Sequence, residues 1–154
     1  MADARFEDGA DQPLRLTAET AEDLSVISAL TQDGVSKISR VNWMARRRRF
    51  SILLYRFRWE DADRARSEKR DYERVASALC IDDVSAVRSR GLDHRDREAV
   101  FNTLNIEFEP GDDGAGVLRI ACSGEAMFEF DVECLNVVLT DLTRPWAAGG
   151  IPEH

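Results

Sequence analysis

The chain has 154 residues, of which 44% are hydrophobic and 32% charged, and its net charge is −8. This composition is typical of one globular domain, and no apolar run approaches the roughly 20 residues that a membrane-spanning helix needs. The acidic start of the chain does not resemble a secretory signal. Three cysteines, Cys80, Cys122 and Cys134, lie in apolar stretches, which is typical of reduced, buried thiols. We therefore expect a cytoplasmic protein that does not bind membranes.

The charges are unevenly distributed along the chain. Residues 37–74 carry thirteen basic and six acidic residues, whereas the segments on either side are acidic. The negative total argues against general affinity for nucleic acid. Because the middle of the chain is basic, an anionic ligand or an acidic protein partner nevertheless remains an alternative.

The two ends of the chain differ in composition from the rest. Residues 1–12 are polar and acidic and are predicted to form a disordered tail. A flexible tail is predicted over residues 147–154, after Pro145 and around a pair of glycines. Residues 13–146 are then expected to form a single domain.

The first strong element is a helix. Thr20, with Asp23 three residues later, resembles a capping box, and an Asp-Gly pair at 33–34 is typical of a helix end. Helical spacing is shown by Leu24, Ile27 and Leu30. These features predict a helix over residues 20–32.

The following segment, residues 35–59, has the pattern of strands with a turn at 44–49. In the most strand-like run, alternate side chains divide into two sets. One set is Leu53, Tyr55, Phe57 and Trp59, and the other is Phe50, Ile52, Leu54, Arg56 and Arg58. We expect this strand to begin buried on both faces and to become half exposed, with the aromatic set in the core.

The second half of the chain repeats some of these signals. A strand is predicted over residues 75–90 with a bulge near Asp82 and Asp83, and Gly91 interrupts it. Asp93 is predicted to cap a second helix over residues 94–103. Further strands are expected at 105–109, 117–122 and 127–142.

Together these elements predict an α+β fold in which two helices pack on a mainly antiparallel sheet. Each half offers one helix and three strands, which raises the hypothesis of an internal duplication. The halves would be residues 13–74 and 75–146, with Cys80 matching Cys134.

Catalytic and metal-binding motifs are not recognisable. The only histidines are His94 and the terminal His154, and no cysteine or histidine spacing suits a metal. His94 is the one credible general base, but its acidic neighbours are better explained as helix caps. We predict no catalytic residue, no metal and no cofactor, and we leave the question of an enzyme open while favouring a non-enzymatic protein.

Four arginines are the candidate binding residues. Arg56 and Arg58 alternate with aromatic residues on a predicted strand, an arrangement that single-stranded RNA readers use. Arg88 and Arg90 point the same way near a strand end and could hold a phosphate or carboxylate. The alternative is that these arginines pair with acidic groups of the chain or of a partner protein.

Short segments along most of the chain form a recognisable pattern. They are Ala21–Ala29, Gln32-Asp33, Arg48–Phe50, Arg56–Glu60, Ser77–Leu79, Val87–Asp93, Phe108–Pro110, Val132–Cys134, Leu139–Leu142 and Pro145-Trp146. In these segments the chain resembles a family of small bacterial proteins that is catalogued only as a domain of unknown function. The likeness spans residues 14–146, and the chain departs from the family pattern at Cys80 and in a longer arginine run. The resemblance implies no activity, cofactor or site residue.

Two functions remain open at this point. The first is a non-enzymatic domain that binds a protein partner, with self-association included. The second is binding of an anionic ligand, RNA or a phosphorylated metabolite, through Arg56, Arg58, Arg88 and Arg90. We do not expect nucleic acid to be the ligand but keep it as an alternative.

Overall fold

The computed structural model describes residues 13–61, 66–68, 73–142 and 146–147. Within them, eleven strands form one bent sheet, against which a helix, α1 (Ala21–Thr31), packs. The strands are β1 (Arg15–Ala18), β2 (Gly34–Lys37), β3 (Val41–Met44), β4 (Arg49–Phe57), β5 (Glu73–Ile81), β6 (Val84–Arg90), β7 (Val100–Pro110), β8 (Gly116–Cys122), β9 (Met127–Val132), β10 (Val137–Asp141) and β11 (Trp146–Ala147).

Helix α1 begins where the capping pattern predicts. Thr20 has extended backbone angles, and its Oγ1 accepts a hydrogen bond from the backbone N–H of Asp23 at 3.1 Å. Glu22 and Asp23 place negative charge at the positive end of the helix dipole. The buried side of the helix carries Leu24 and Ile27. The prediction of a helix over residues 20–32 is confirmed.

Replacing Thr20 with alanine is expected to lower the free energy of unfolding by about 1 kcal/mol, because the N–H of Asp23 loses its acceptor. Ser25→Ala, on the exposed side of the same helix, is the control and should be neutral or slightly stabilising. Urea unfolding followed by tryptophan fluorescence would measure both. Equal effects of the two changes would show that the cap does not stabilise the helix.

The sheet is antiparallel at each of its ladders. Its strand order is β1-β10-β5-β4-β2-β7-β8-β9-β6, with β3 paired to β4 and β11 paired to β5. Strands β5 and β6 follow each other in the chain, and so do β9 and β10. Because β5 pairs with β10 and β6 with β9, these four strands form one long two-stranded ribbon.

The ribbon bends sharply in its middle. At the corner the N–H of Asp82 donates to the carbonyl of Asn136, and the N–H of Glu133 donates to the carbonyl of Asp83, both at 2.9 Å. Asp83 has a φ of 59°, in the left-handed region, so the chain turns there instead of continuing as a strand. One half of the sheet is thereby folded over the other.

Phenylalanines fill the space between the two halves. The ring of Phe50 in β4 lies 5.4 Å from that of Phe128 and 4.7 Å from that of Phe130, both in β9. Phe101 of β7 lies 5.5 Å from Phe128. All four rings are buried. The core is therefore enclosed mainly by strands, with α1 covering one side.

The predicted fold class, an α+β domain with two helices on a sheet, is wrong. Within the described stretch 73–142 no α-helix packs on the sheet in addition to α1, and part of the predicted second helix, residues 100–103, begins β7. Strand β7 carries an extra residue between Thr103 and Asn105 relative to β8. This bulge shifts the phase of the in–out alternation, so one strand has the sequence pattern of a helix followed by a strand.

The residue predicted to cap the second helix has a different role. Asp93 Oδ1 accepts a hydrogen bond from the backbone N–H of Arg95 at 3.0 Å, and the carbonyl of Asp93 accepts one from the N–H of Asp96 at 3.1 Å. Asp93 therefore closes a local turn that leads into β7, and no helix follows it.

The hypothesis of an internal duplication is wrong as well. Cys80 lies within β5, opposite Val138 of β10, whereas Cys134 lies in the corner between β9 and β10. Within the described stretch 73–142 there is also no α-helix that could match α1. The similarity of the two cysteine-containing segments is therefore a likeness of short apolar sequences only.

The two faces of β4 also differ from the prediction. The inward side chains are those of Phe50, Ile52, Leu54 and Arg56, which are all buried, whereas Leu53 is 43% exposed and Trp59 is 41% exposed. The expectation that the aromatic set lies in the core is wrong. Both sets are apolar at the start of the strand, so alternation alone could not tell the inner face from the outer one.

The predicted disordered tail, residues 1–12, lies outside the described residues, and so does the predicted tail 147–154 except for Ala147. Among the residues that the structure describes, no helix has both the length and the apolar character needed to cross a membrane.

Candidate functional site

Arg56, the first candidate binding residue, is completely buried and bound on both sides by carboxylates. Its Nε and Nη2 donate to the two oxygens of Asp141 at 3.1 and 2.9 Å, and Nη1 and Nη2 donate to the two oxygens of Glu60 at 3.0 and 2.9 Å. Nη1 also donates to the carbonyl of Phe57 at 3.0 Å, and Ser77 Oγ donates to Asp141 Oδ1 at 2.7 Å. The guanidinium is thus saturated by the protein itself.

The electrostatics agree with this geometry. Burial works against the charge on Arg56, but the hydrogen bonds with Glu60 and Asp141 outweigh it and raise the pKa of the guanidinium. The network ties β4 to β10 and to the turn that follows β4. Arg56 therefore stabilises the fold from within and does not present a charge to a ligand.

Arg58 lies just beyond the end of β4, beside the first residue of β5. Its Nη1 donates to Glu73 Oε1 at 3.1 Å, and both side chains are partly buried. It belongs to the same end of the molecule as Arg56.

Arg88 lies on β6, in a ladder of charged side chains that crosses four strands. Its guanidinium donates to both carboxylate oxygens of Asp131 at 2.7 and 2.8 Å and to Glu129 at 2.8 Å. Arg119 of β8 then joins Glu129 of β9 at 2.7 Å to Glu109 of β7 at 2.8 Å. Arg119 and Arg88 hold the pKa of the Glu129 carboxyl below its usual value. We call these five side chains the charged face.

Arg90 ends β6, and among the described residues it has no carboxylate partner. Its Nη2 approaches the sulfur of Met127 at 3.7 Å. A hollow of about 200 Å³ is lined here by Arg88, Ser89, Arg90, Met127 and Glu129. Arg90 is therefore the one candidate arginine whose charge is open to a ligand in the described part of the chain.

The structure thus places the four arginines as two separate pairs. Arg56 and Arg58 lie at the end of β4, beside the start of β5, and Arg88 and Arg90 lie near the end of β6. The two pairs are therefore close to opposite ends of the bent ribbon. Among the described residues, no hydrogen bond or ion pair joins one pair to the other.

A surface with a different composition lies on β4, β5 and β10. In the middle of β4, β5 and β10, six outward side chains lie in register across the three strands and carry no charge, whereas Arg49 and Arg74 stand on the same face towards the strand ends. They are Ser51, Leu53, Ala78, Cys80, Val138 and Thr140. We call this set the uncharged face. In a chain whose residues are 32% charged, such a surface differs clearly from the charged face.

Arginines border the uncharged face on several sides. The guanidinium of Arg40 lies 4.6 Å from the centre of the Tyr55 ring, and that of Arg74 lies 3.6 Å from the centre of the Phe57 ring. Arg15, on β1, stands opposite Thr140. None of the three forms an ion pair within the described residues. We call Arg15, Arg40 and Arg74 the arginine rim.

Arg74 is the most desolvated member of the rim. It is stacked on Phe57, and its Nη1 donates to the carbonyl of Tyr55 at 3.1 Å. Burial lowers the pKa of this guanidinium, and the charge of Asp33 opposes that effect only in part. A carboxylate placed beside this partly buried guanidinium would stabilise its charge, because it replaces the hydrogen bonds to water that burial removes.

The chain is similar to one known family over most of its length. The family described as "Protein of unknown function (DUF2948)" matches residues 14–154. The chain belongs to this family. No curated protein and no solved structure matches the chain. The family resemblance seen in the sequence is confirmed.

The described residues contain no group of three histidine, cysteine or acidic side chains placed to hold a metal ion. The three cysteines differ in environment. Cys122 is buried, which raises the pKa of its thiol to about 12, whereas Cys80 is partly buried and Cys134 is exposed. A hydrogen bond to Asp83 raises the pKa of the Cys134 thiol. The expectation that all three thiols are buried in strands is therefore wrong for Cys134.

Reaction with a thiol reagent should follow this order of exposure. In the folded protein at pH 8, we expect Cys134 to react first and Cys122 to react only on unfolding, because the reagent must reach a thiolate. Mass spectrometry of peptides after timed exposure to iodoacetamide would measure the order. Early modification of Cys122 would contradict the described packing of β8.

The sequence pattern grouped Leu53 with the aromatic set in the core, which is the wrong side of β4. Leu53, Ala78 and Val138 alternate with buried residues, as any sheet surface does. What distinguishes them is that the alternate positions lack the charged residues normally found on a solvated face. That feature becomes visible only once the three strands are known to be neighbours.

Proposed function

We propose that the chain is a protein-interaction domain that binds an acidic protein partner through the uncharged face. The observation that carries this proposal is the contrast between the two outward surfaces of the same sheet. One is covered by carboxylate–arginine pairs, as a solvated surface is. The other carries six uncharged side chains bordered by arginines, of which Arg49 is paired with Asp82.

The uncharged face has the properties of an interface. Leu53 is 43% exposed at its centre, and its neighbours are small side chains that let another surface approach the sheet closely. Exposed apolar patches rimmed by polar residues commonly mark sites of protein association. Removing Leu53 from water on binding would add to affinity in proportion to the apolar area covered.

The arginine rim determines the chemistry of the partner. Arginines stacked on aromatic rings keep the edge of the guanidinium available for a carboxylate, and they are enriched at binding interfaces. Arg74 in particular is partly desolvated without a carboxylate contact in the described chain. A partner with an apolar centre and surrounding aspartate or glutamate residues complements this arrangement.

A second copy of the chain fits the face less well. In a symmetric dimer the same surface meets itself, which brings the arginine rim of one copy near that of the other. Like charges at the border of an interface oppose association. The acidic partner avoids this repulsion, so it is the occupant that we propose.

The proposal can be tested by photo-crosslinking in the native cell. The photoreactive residue p-benzoylphenylalanine would replace Leu53 in one variant and Val117 in another. Val117 is the matched control, because it is an outward apolar residue of β8 beside the charged face. We expect position 53, and not position 117, to crosslink a protein whose contacting segment is acidic.

Three outcomes would overturn the proposal. They are equal crosslinking at the two positions, no crosslinking at position 53, and a product at position 53 that contains two copies of this chain. The last result would assign the uncharged face to self-association.

The alternative function, binding of RNA or a phosphorylated metabolite by the four candidate arginines, has less support in the geometry. Arg56, Arg58 and Arg88 each have carboxylate partners within the chain. An anion would have to displace those carboxylates, whereas at the arginine rim no such displacement is needed.

A further inference from the structure

A serine and a histidine come into direct contact at the end of β6, next to Arg88 of the charged face. Ser89 Oγ lies 2.5 Å from His94 Nε2, and both side chains are exposed. Ser89 is paired with Phe128 of β9, and the His94 ring meets the ring of Phe128 edge-on at 6.4 Å. The pair thus lies at the edge of the phenylalanine core.

The short segment between the two residues holds them in place. Gly91 has a φ of +76°, and a Cβ at this position would lie 2.9 Å from the Cα of Ala126, so only glycine allows the chain to pass so closely. After it, Asp93 closes the turn by accepting a hydrogen bond from the N–H of Arg95. His94 lies inside this turn, and its ring is therefore directed back towards β6.

The contact has the geometry of a nucleophile and its general base. When the ring proton is on Nδ1, the hydroxyl of Ser89 donates to Nε2, and this is the arrangement in which imidazole removes the proton of an attacking serine. Strand β6 is at an edge of the sheet, so alternate backbone N–H groups point away from β9. An amide donor for a developing oxyanion is therefore present within one residue of Ser89.

We propose that Ser89 is a reactive nucleophile, with His94 as its base, toward small activated esters. Ser89 Oγ attacks the carbonyl carbon and forms a C–O bond while its proton passes to His94 Nε2. The bond to the leaving oxygen then breaks, and that oxygen takes the proton from His94. Water then gives a proton to His94 Nε2 and attacks the acyl carbon. The bond from that carbon to Ser89 Oγ breaks, and Oγ takes the proton from His94, which releases a carboxylic acid and restores the serine hydroxyl.

A fluorophosphonate probe tests the proposal directly, since it forms an Oγ–P bond with a reactive serine and releases fluoride. We expect one adduct per chain, located on Ser89 by peptide mass spectrometry and lost in Ser89→Ala. In His94→Gln, which keeps a polar side chain without a base, labelling should slow by at least about tenfold. Ser85→Ala removes another exposed serine of β6 and should leave the rate unchanged.

The thermal unfolding midpoint of each variant would show that it is folded. The proposal would be overturned by the lack of an adduct in the unchanged protein, by an adduct located elsewhere, or by an unchanged labelling rate in folded His94→Gln. Because Ser89 and His94 are remote from the uncharged face, these results are independent of the crosslinking outcome.

Discussion

Replacing Arg56 with methionine is expected to lower the free energy of unfolding by about 3–5 kcal/mol. The change leaves the buried carboxylate of Asp141 without its cation and removes both hydrogen bonds to Glu60. An uncompensated buried charge is among the most destabilising changes that a single substitution makes. Urea unfolding followed by tryptophan fluorescence would measure the loss.

Arg88→Met is the matched control. Arg88 is also bound by two carboxylates, but its side chain is 48% exposed, so the loss should stay within about 1 kcal/mol. The double variant Arg56→Met with Asp141→Leu should lose less unfolding free energy than the sum of the losses in the two single variants. The reason is that neither charge is then buried without its partner. Similar losses for Arg56→Met and Arg88→Met would contradict the structural role of Arg56.

The largest effect on packing is expected at Leu54. Leu54→Ala should cost about 2–5 kcal/mol, because the side chain is 1% exposed and its removal leaves a cavity in the core. Leu53→Ala makes the same chemical change at the adjacent position on the other face of β4. Leu53 is 43% exposed, so the corresponding loss should be below about 1 kcal/mol.

Chemical unfolding of these two variants shows whether Leu54 or Leu53 is on the face of β4 that packs in the core. A larger loss for Leu53→Ala than for Leu54→Ala would show that the aromatic set lies in the core, as the sequence pattern suggested. Such a result would also remove Leu53 from the proposed interface.

Local signals in the sequence predicted local structure well. Helix α1 was found from Thr20 and the apolar spacing behind it, because a capped amphipathic helix is encoded within one short segment. The second helix was predicted wrongly because the bulge after Thr103 breaks the alternation of β7. A bulge depends on the neighbouring strand, and β8 follows only later in the chain.

The candidate site shows the same limit. Arg56 looked like a ligand-binding residue because it stands between aromatic side chains in the sequence. Its partner Asp141 is separated from it by 85 positions, so the ion pair could not be anticipated from either segment. The pair of Ser89 and His94 is close in the chain, but its contact depends on the turn around Asp93, which stands where the start of a helix was expected.

The bent ribbon explains why one sheet has two different outward surfaces. Beyond the corner, β6 and β9 present the charged face, and before it β5 and β10 present part of the uncharged face. The ribbon is shared by both halves of the sheet. The two chain segments that form it, β5–β6 and β9–β10, therefore connect the charged face to the proposed interface.

The central claim is that the arginine rim and the uncharged face bind an acidic partner, and charge reversal at the rim tests it most directly. With the photoreactive residue at position 53, Arg15→Glu and Arg74→Glu would be combined and the crosslinking yield measured in folded protein. Arg46→Glu with Arg47→Glu, two exposed arginines in the turn before β4, changes the net charge equally. We predict at least a tenfold loss of crosslinked product for the rim pair and little change for the turn pair. Equal yields from the two double variants would contradict the claim.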